Sequence, residues 1–180
     1  MIDAVTVGEV TPGYELWHPN REKPTVITTR FVIILLMLAT AGIAAVVTIA
    51  GFSLLDGGAT MGIICLVYSG LYVLFAYRVS RWSRGVLPVA ASLSMILAIF
   101  CAAGANSWFA RNKPGFEGAA IPVSAIGLLV IILIVLQLVL IVAAFYGFSQ
   151  DWQVEEERQI GSGEDYGAGA PPSDTPPLPA

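Results

Sequence analysis

The sequence predicts an all-α integral membrane protein, with four transmembrane helices in an antiparallel bundle and a disordered C-terminal tail. Three observations carry this expectation. Hydrophobic residues make up 56% of the 180 positions and charged residues 12%, about half the charged share of a soluble domain. The apolar residues fall into four unbroken runs, whereas a soluble helix confines them to one stripe. Each run comes near or exceeds the roughly 20 residues a helix needs to cross a hydrocarbon core of about 30 Å.

Residues 1–30 are polar and contain Glu9, Glu15, Arg21, Glu22 and Lys23. This stretch is too long and too acidic to open a secretory signal peptide, so the first apolar run reads as a retained signal anchor. No Gly follows Met1 and no Cys lies near either end, which gives no signal for a lipid anchor.

The first span is expected at 31–55, bounded by Arg30 and by the turn Asp56-Gly57-Gly58. The second covers 60–77 and stops at Arg78. The third covers 86–105, with Pro88 in its first turn, where a missing N–H costs little. A polar loop from Asn106 to Gly118 leads to a fourth span at 121–148, which Pro122 opens. That last run is longer than the bilayer requires and should tilt or project. Residues 150–160 are expected to continue it as an acidic helical extension, and 161–180, rich in Gly, Pro, Ser and Asp, to be disordered.

Basic residues in short loops set orientation. Arg21, Lys23, Arg30, Arg78, Arg81, Arg84 and Arg158 fall on one side of a four-span topology, against Arg111 and Lys113 on the other. The richer side, with both termini, is expected to face the cytoplasm. Trp17, Tyr77, Trp82, Tyr146 and Trp152 mark that interface, and Trp108 and Phe109 the opposite one, since amphipathic rings favour the headgroup layer.

Helices in lipid associate through small residues and a few polar contacts. Ala90, Ser94, Ala98 and Ala102 recur every four residues in the third span, and Thr40, Ala44 and Thr48 do so in the first. These two ridges are expected to form the tightest helix contact. The fourth span, built mostly of large aliphatics, should face lipid or a partner. Its Gln137 is the most polar residue deep in any span, and an amide in hydrocarbon must find a hydrogen-bond partner. Thr40, Ser69 or Ser94 could supply it; the alternative is a ligand in a central cavity.

Cys65 and Cys101 should lie at similar depth on adjacent helices, either bridged or as two small free thiols. His18 has no Asp, Glu or Cys at ligand spacing, so no metal is expected. Arg78, Arg81, Trp82 and Arg84 form an inner loop suited to anionic lipid headgroups. No basic patch tracks a phosphate backbone, which argues against nucleic acid, and no cofactor motif occurs.

The stretch Arg81-Trp82-Ser83-Arg84 resembles the inner loop of small four-span membrane proteins of actinobacteria, in which a basic residue and a tryptophan precede an arginine that opens the third helix. The resemblance spans about 29–108. It implies a place in the cytoplasmic membrane and no activity.

No Asp, Glu, Lys or Arg lies inside any span, and ion-coupled pumps and proton relays rely on such groups. The sequence therefore points to a non-enzymatic membrane protein, an accessory or scaffold subunit that touches lipid and a protein partner or a second copy of itself. The alternative is a passive channel or transporter of small hydrophobic molecules, lined by Tyr68, Tyr72, Gln137 and the serines of the third span.

Overall fold

The computed structural model describes residues 14–55, 58–111 and 118–159. Four helices are long and apolar enough to cross a membrane: α2 (Pro24–Ala50), α3 (Gly58–Ser80), α4 (Val86–Ala110) and α5 (Val123–Ser149). A single turn, α1 (Pro19–Glu22), precedes them. The all-α, four-span architecture is thus as the hydropathy requires. The helices run past the expected limits because the interfacial turns are themselves helical. Thus α2 starts at Pro24, whose absent N–H suits a first turn, and ends at Ala50, with a 3-10 turn (Phe52–Leu54) taking up the rest of the apolar run. Similarly, α4 continues to Ala110.

Each helix buries a seam with a period close to 3.5 residues. In α5 the seam is Val123, Ile126, Val130, Leu133, Gln137, Leu140, Ala144 and Gly147, steps of three and four in strict alternation. Leu87, Ala90, Ser94, Cys101 and Trp108 follow the same rule in α4, Gly62, Ser69, Tyr72, Ala76 and Val79 in α3, and Ile33, Met37, Thr40, Ala44 and Val47 in α2. Such a period keeps two helices in contact along their length when they cross at about 20°.

The helices form a ring in chain order. The pairing of α4 with α5 is the most extensive, followed by α2 with α3 and α2 with α5, while α3 and α4 touch only slightly. This corrects the expected contact of the first and third spans, because α2 and α4 occupy opposite corners. The fourth span carries Ala144 and Gly147 on its seam and Gly127 buried beside it, so despite its aliphatic character it is the helix both approach. Around Gly147 stand Ile33 of α2 and Leu87 of α4, each near enough to touch an added Cβ. The four-residue ridge of α4 also drifts off a seam of period 3.5. Ala90 and Ser94 are fully buried, Ala98 is half-buried and Ala102 is exposed. Thr40, Ala44 and Thr48 are all buried.

Residues 20–153 belong to one compact unit, and of the described residues 14–19 and 154–159 belong to another. In the second unit, β1 (Tyr14–Trp17) pairs antiparallel with β2 (Glu156–Gln159), in a register that sets Tyr14 opposite Gln159 and Trp17 opposite Glu156. The acidic helical extension expected at 150–160 is therefore replaced by a strand. Asp151 has φ 49°, which turns the chain out of the helix, and the partner strand satisfies backbone groups that a helix would otherwise have to. Pairing of the two flanks requires them to share one side of the membrane, as an even number of crossings provides. The expected tail at 161–180 lies outside the described residues, as do 112–117 of the loop before α5.

The seam around Gly147 is closely packed: a Cβ there would come within 2.7 Å of Ile33 Cδ1 and 3.2 Å of the Trp152 ring. Gly147→Leu should therefore cost about 1–3 kcal/mol, seen as a lower melting temperature in detergent. Gly42 has nothing within 4 Å of a Cβ, so Gly42→Leu should stay within about 0.5 kcal/mol of the parent.

Candidate functional site

The polar groups deep in the bundle converge on Gln137. Its Nε2 donates to Thr40 Oγ1 at 3.0 Å, and its Oε1 accepts from Tyr72 Oη at 2.8 Å. Tyr72 Oη lies 3.1 Å from Ser94 Oγ; since the tyrosine proton goes to Gln137, the serine is the donor. One direction runs through the whole chain, from Ser94 to Tyr72 to Gln137 to Thr40. Each member comes from a different helix, and each is 0–1% exposed. Of the other hydroxyls, those of Thr48 and Ser69 bond back to their own helix, to the Ala44 carbonyl at 2.7 Å and that of Cys65 at 3.1 Å, and Tyr68 donates across to the Leu93 carbonyl of α4 at 3.3 Å. Apolar core clusters lie on either side of this layer.

At the arginine-rich end, the turn between α3 and α4 is built on Trp82, whose φ is 61°. Its N–H bonds to the Val79 carbonyl at 3.0 Å and the next N–H, of Ser83, to that of Arg78 at 3.1 Å. This is the Schellman pattern, with tryptophan in the left-handed position that glycine normally fills. The indole is held from several sides. Arg30 stacks over it at 4.0 Å, Arg21 lies at 5.5 Å, and Trp152 meets it edge-on at 5.9 Å. Arg30 also caps α3, its Nη2 donating to the Ser80 carbonyl at 2.7 Å, while Arg21 Nε donates to the Trp152 carbonyl in the turn beyond α5 at 3.1 Å. Cations there also complement the negative ends of the helix dipoles. Arg84 pairs with Asp151 at 2.5 Å and stacks on Phe148 at 4.3 Å.

The opposite half is looser. Where α3 and α4 diverge, a cavity of about 380 Å³ opens, lined by apolar side chains of all four helices. Cys65 and Cys101 both face it, as their matching depth implied, and both are free thiols. Thr48 and Tyr68 lie on its deeper lining, and at one end Ser107 and Arg111 lie beside Trp108. Arg111 is only 8% exposed and stacks over Trp108 at 4.8 Å. Among the described residues, no group of three or more His, Cys, Asp or Glu side chains could hold a metal.

The residues singled out from sequence thus divide. Gln137, Thr40 and Ser94 come together, with Tyr72 linking the serine. Of the inner-loop set, Arg78 and Arg81 are exposed, while Trp82 and Arg84 are engaged within the fold. His18 lies 3.3 Å from Glu155. Two features had no reading in the sequence: the linking role of Tyr72, and the place of Arg111 in the cavity. Tyr68 and Tyr72 did carry a signal, because a tyrosine away from the interface needs a partner for its hydroxyl. No protein family, curated protein or solved structure matches the chain.

Two measurements follow from these contacts. Gln137→Leu leaves two buried hydroxyls short of a partner and should lower stability by about 1 kcal/mol in an SDS unfolding titration. Adding Tyr72→Phe should cost less than the sum of the two single changes, since both break one bond. At Trp82 the usual order of glycine and alanine should invert. Trp82→Gly is expected to be more stable than Trp82→Ala by about 1 kcal/mol, because alanine keeps the left-handed penalty and loses the ring that offsets it.

Proposed function

We propose that this is a non-enzymatic polytopic membrane protein that acts by contact, as an accessory or scaffold subunit of a larger complex in the cytoplasmic membrane. Its arginine-rich end faces the cytoplasm in this reading. The observation that carries it is the closed midplane. Four buried side chains spend their hydrogen bonds on one another where a pump or channel would keep groups for its cargo. A bundle locked in this way is suited to holding a shape against a neighbour. The exposed apolar faces offer lipid or a partner helix the rest of the contact.

The cavity between α3 and α4 favours a second reading, passage of small hydrophobic molecules. Its lining reaches Tyr68 and Leu133, one helical turn from Tyr72 and Gln137, so a route across would have to break the polar layer. Native mass spectrometry of the protein extracted in mild detergent should give a stoichiometric complex with a different membrane protein. A lone monomer, or self-association alone, would sink the subunit reading. Reconstituted in liposomes, the chain should pass ions and small hydrophobic dyes no faster than protein-free vesicles; flux altered by Gln137→Leu would transfer the conclusion to the conduit.

A further inference from the structure

We propose that the cavity between α3 and α4 is a binding site for a single-chain anionic amphiphile, or for one acyl chain of an anionic lipid, entering sideways from the bilayer. The inference stands apart from the subunit reading, since it concerns what this chain holds by itself.

The shape of the cavity supplies the first argument. Along α4 its lining runs from Leu97 to Arg111, about 21 Å at the helical rise of about 1.5 Å per residue. One leaflet contributes about half of a hydrocarbon core of about 30 Å. The cavity therefore spans from near the midplane to the headgroup region of a single leaflet. Its 380 Å³ falls at the small end of ligand sites, which suits one chain better than two.

Access supplies the second. The slight contact of α3 with α4 leaves their gap as the natural opening. Lining residues on both sides are exposed to lipid, Met61 at 38% and Ile64 at 51% on α3 and Phe100 at 67% on α4. A chain already in the bilayer can enter without crossing water.

Polarity along the cavity supplies the third. In its deeper part the hydroxyls are occupied, that of Thr48 by the Ala44 carbonyl and that of Tyr68 by the Leu93 carbonyl, so that part suits only hydrocarbon. At the interfacial end the Ser107 hydroxyl is likewise occupied, donating to the Gly104 carbonyl at 2.8 Å, and Arg111 brings the charge. A guanidinium carries five N–H donors and binds carboxylate and phosphate in a two-point geometry. The Arg111 guanidinium lies over the Trp108 ring at 4.8 Å. A tail in the deeper part would bring its head to this arginine, and an anion is the head that complements it.

The test uses the full chain in micelles, titrated with palmitate, phosphatidylglycerol or phosphatidylcholine and read by native mass spectrometry. One palmitate or one phosphatidylglycerol should remain bound per chain, with phosphatidylcholine weaker. Preference between the two anions tells a free carboxylate from a lipid phosphate. Arg111→Gln should weaken anion retention about tenfold, the loss of one charge-assisted hydrogen bond. Gly104 lines the cavity and has nothing within 4 Å of a Cβ, so Gly104→Leu should fill the space, leave the melting temperature unchanged and abolish retention of every amphiphile. Equal retention of phosphatidylcholine, or an unchanged Arg111→Gln, overturns the anionic head. Retention that survives Gly104→Leu, or no retention by the parent, overturns the site.

Discussion

The bond between Gln137 and its two partners is the constraint on which the rest of the bundle depends. Packing of aliphatic side chains in lipid discriminates poorly between one register and the next, because lipid tails are as apolar as the helices themselves. A carboxamide at the midplane removes that freedom. It has one orientation in which Nε2 meets Thr40 and Oε1 meets Tyr72, and a slip of either helix by one residue would swing a seam position away. Ser94 extends the lock to the fourth helix through Tyr72. Four helices are thereby fixed at a common depth by three hydrogen bonds and no charge, so no ion has to be desolvated to build the core.

Hydropathy made the four helices legible, since a bilayer demands long apolar runs whatever their neighbours are. Gln137 stood out for the same reason, being the one amide in hydrocarbon, and the short polar side chains that could answer it include Thr40. Which helices touch was harder to read. Spacing of four residues marks a face on an isolated helix, yet helices that stay in contact over several turns must follow a period of 3.5. Ala102 therefore ends up exposed, although it shares a ridge with the buried Ala90. The strand at 156–159 was invisible for another reason. Its glutamates favour helix locally, and only pairing with residues 14–17, far off in the chain, makes it extended.

The two ends of the bundle solve the termination of helices in opposite ways. At the arginine-rich end, aromatic rings and guanidinium groups fill the space between helix ends, and two non-glycine residues, Trp82 and Asp151, take left-handed backbone. Each such residue costs roughly 1–2 kcal/mol, which holds only where the surroundings fix it. Trp82 is fixed by two arginines and a second indole. Asp151 is fixed by its pair with Arg84 and by Asn20 Nδ2, which donates to its carbonyl at 2.9 Å. At the other end hydrogen bonds to backbone carbonyls do the tying, from the Ala120 N–H to Ala50 at 2.9 Å and from the Ser53 hydroxyl to Gly118 at 2.8 Å.

That difference explains why the cavity lies where it does. The bonds at the second end join the exit of α2 to the entrance of α5, and α3 touches α4 only slightly. At the first end, α3 and α4 are held together by the Trp82 turn, so the pair is a hinge closed at one end and open at the other. The residues agree: Cys65 on α3 and Cys101 and Gly104 on α4 are small where they line the gap, whereas Tyr72, Val79 and Leu87 are large where they meet the core. Small residues that face each other across a gap bring no backbones together, as small residues between packed helices would. They leave volume instead. The polar layer then sets the floor of that volume, since nothing apolar can pass Tyr72 and Gln137 without stranding their hydrogen bonds.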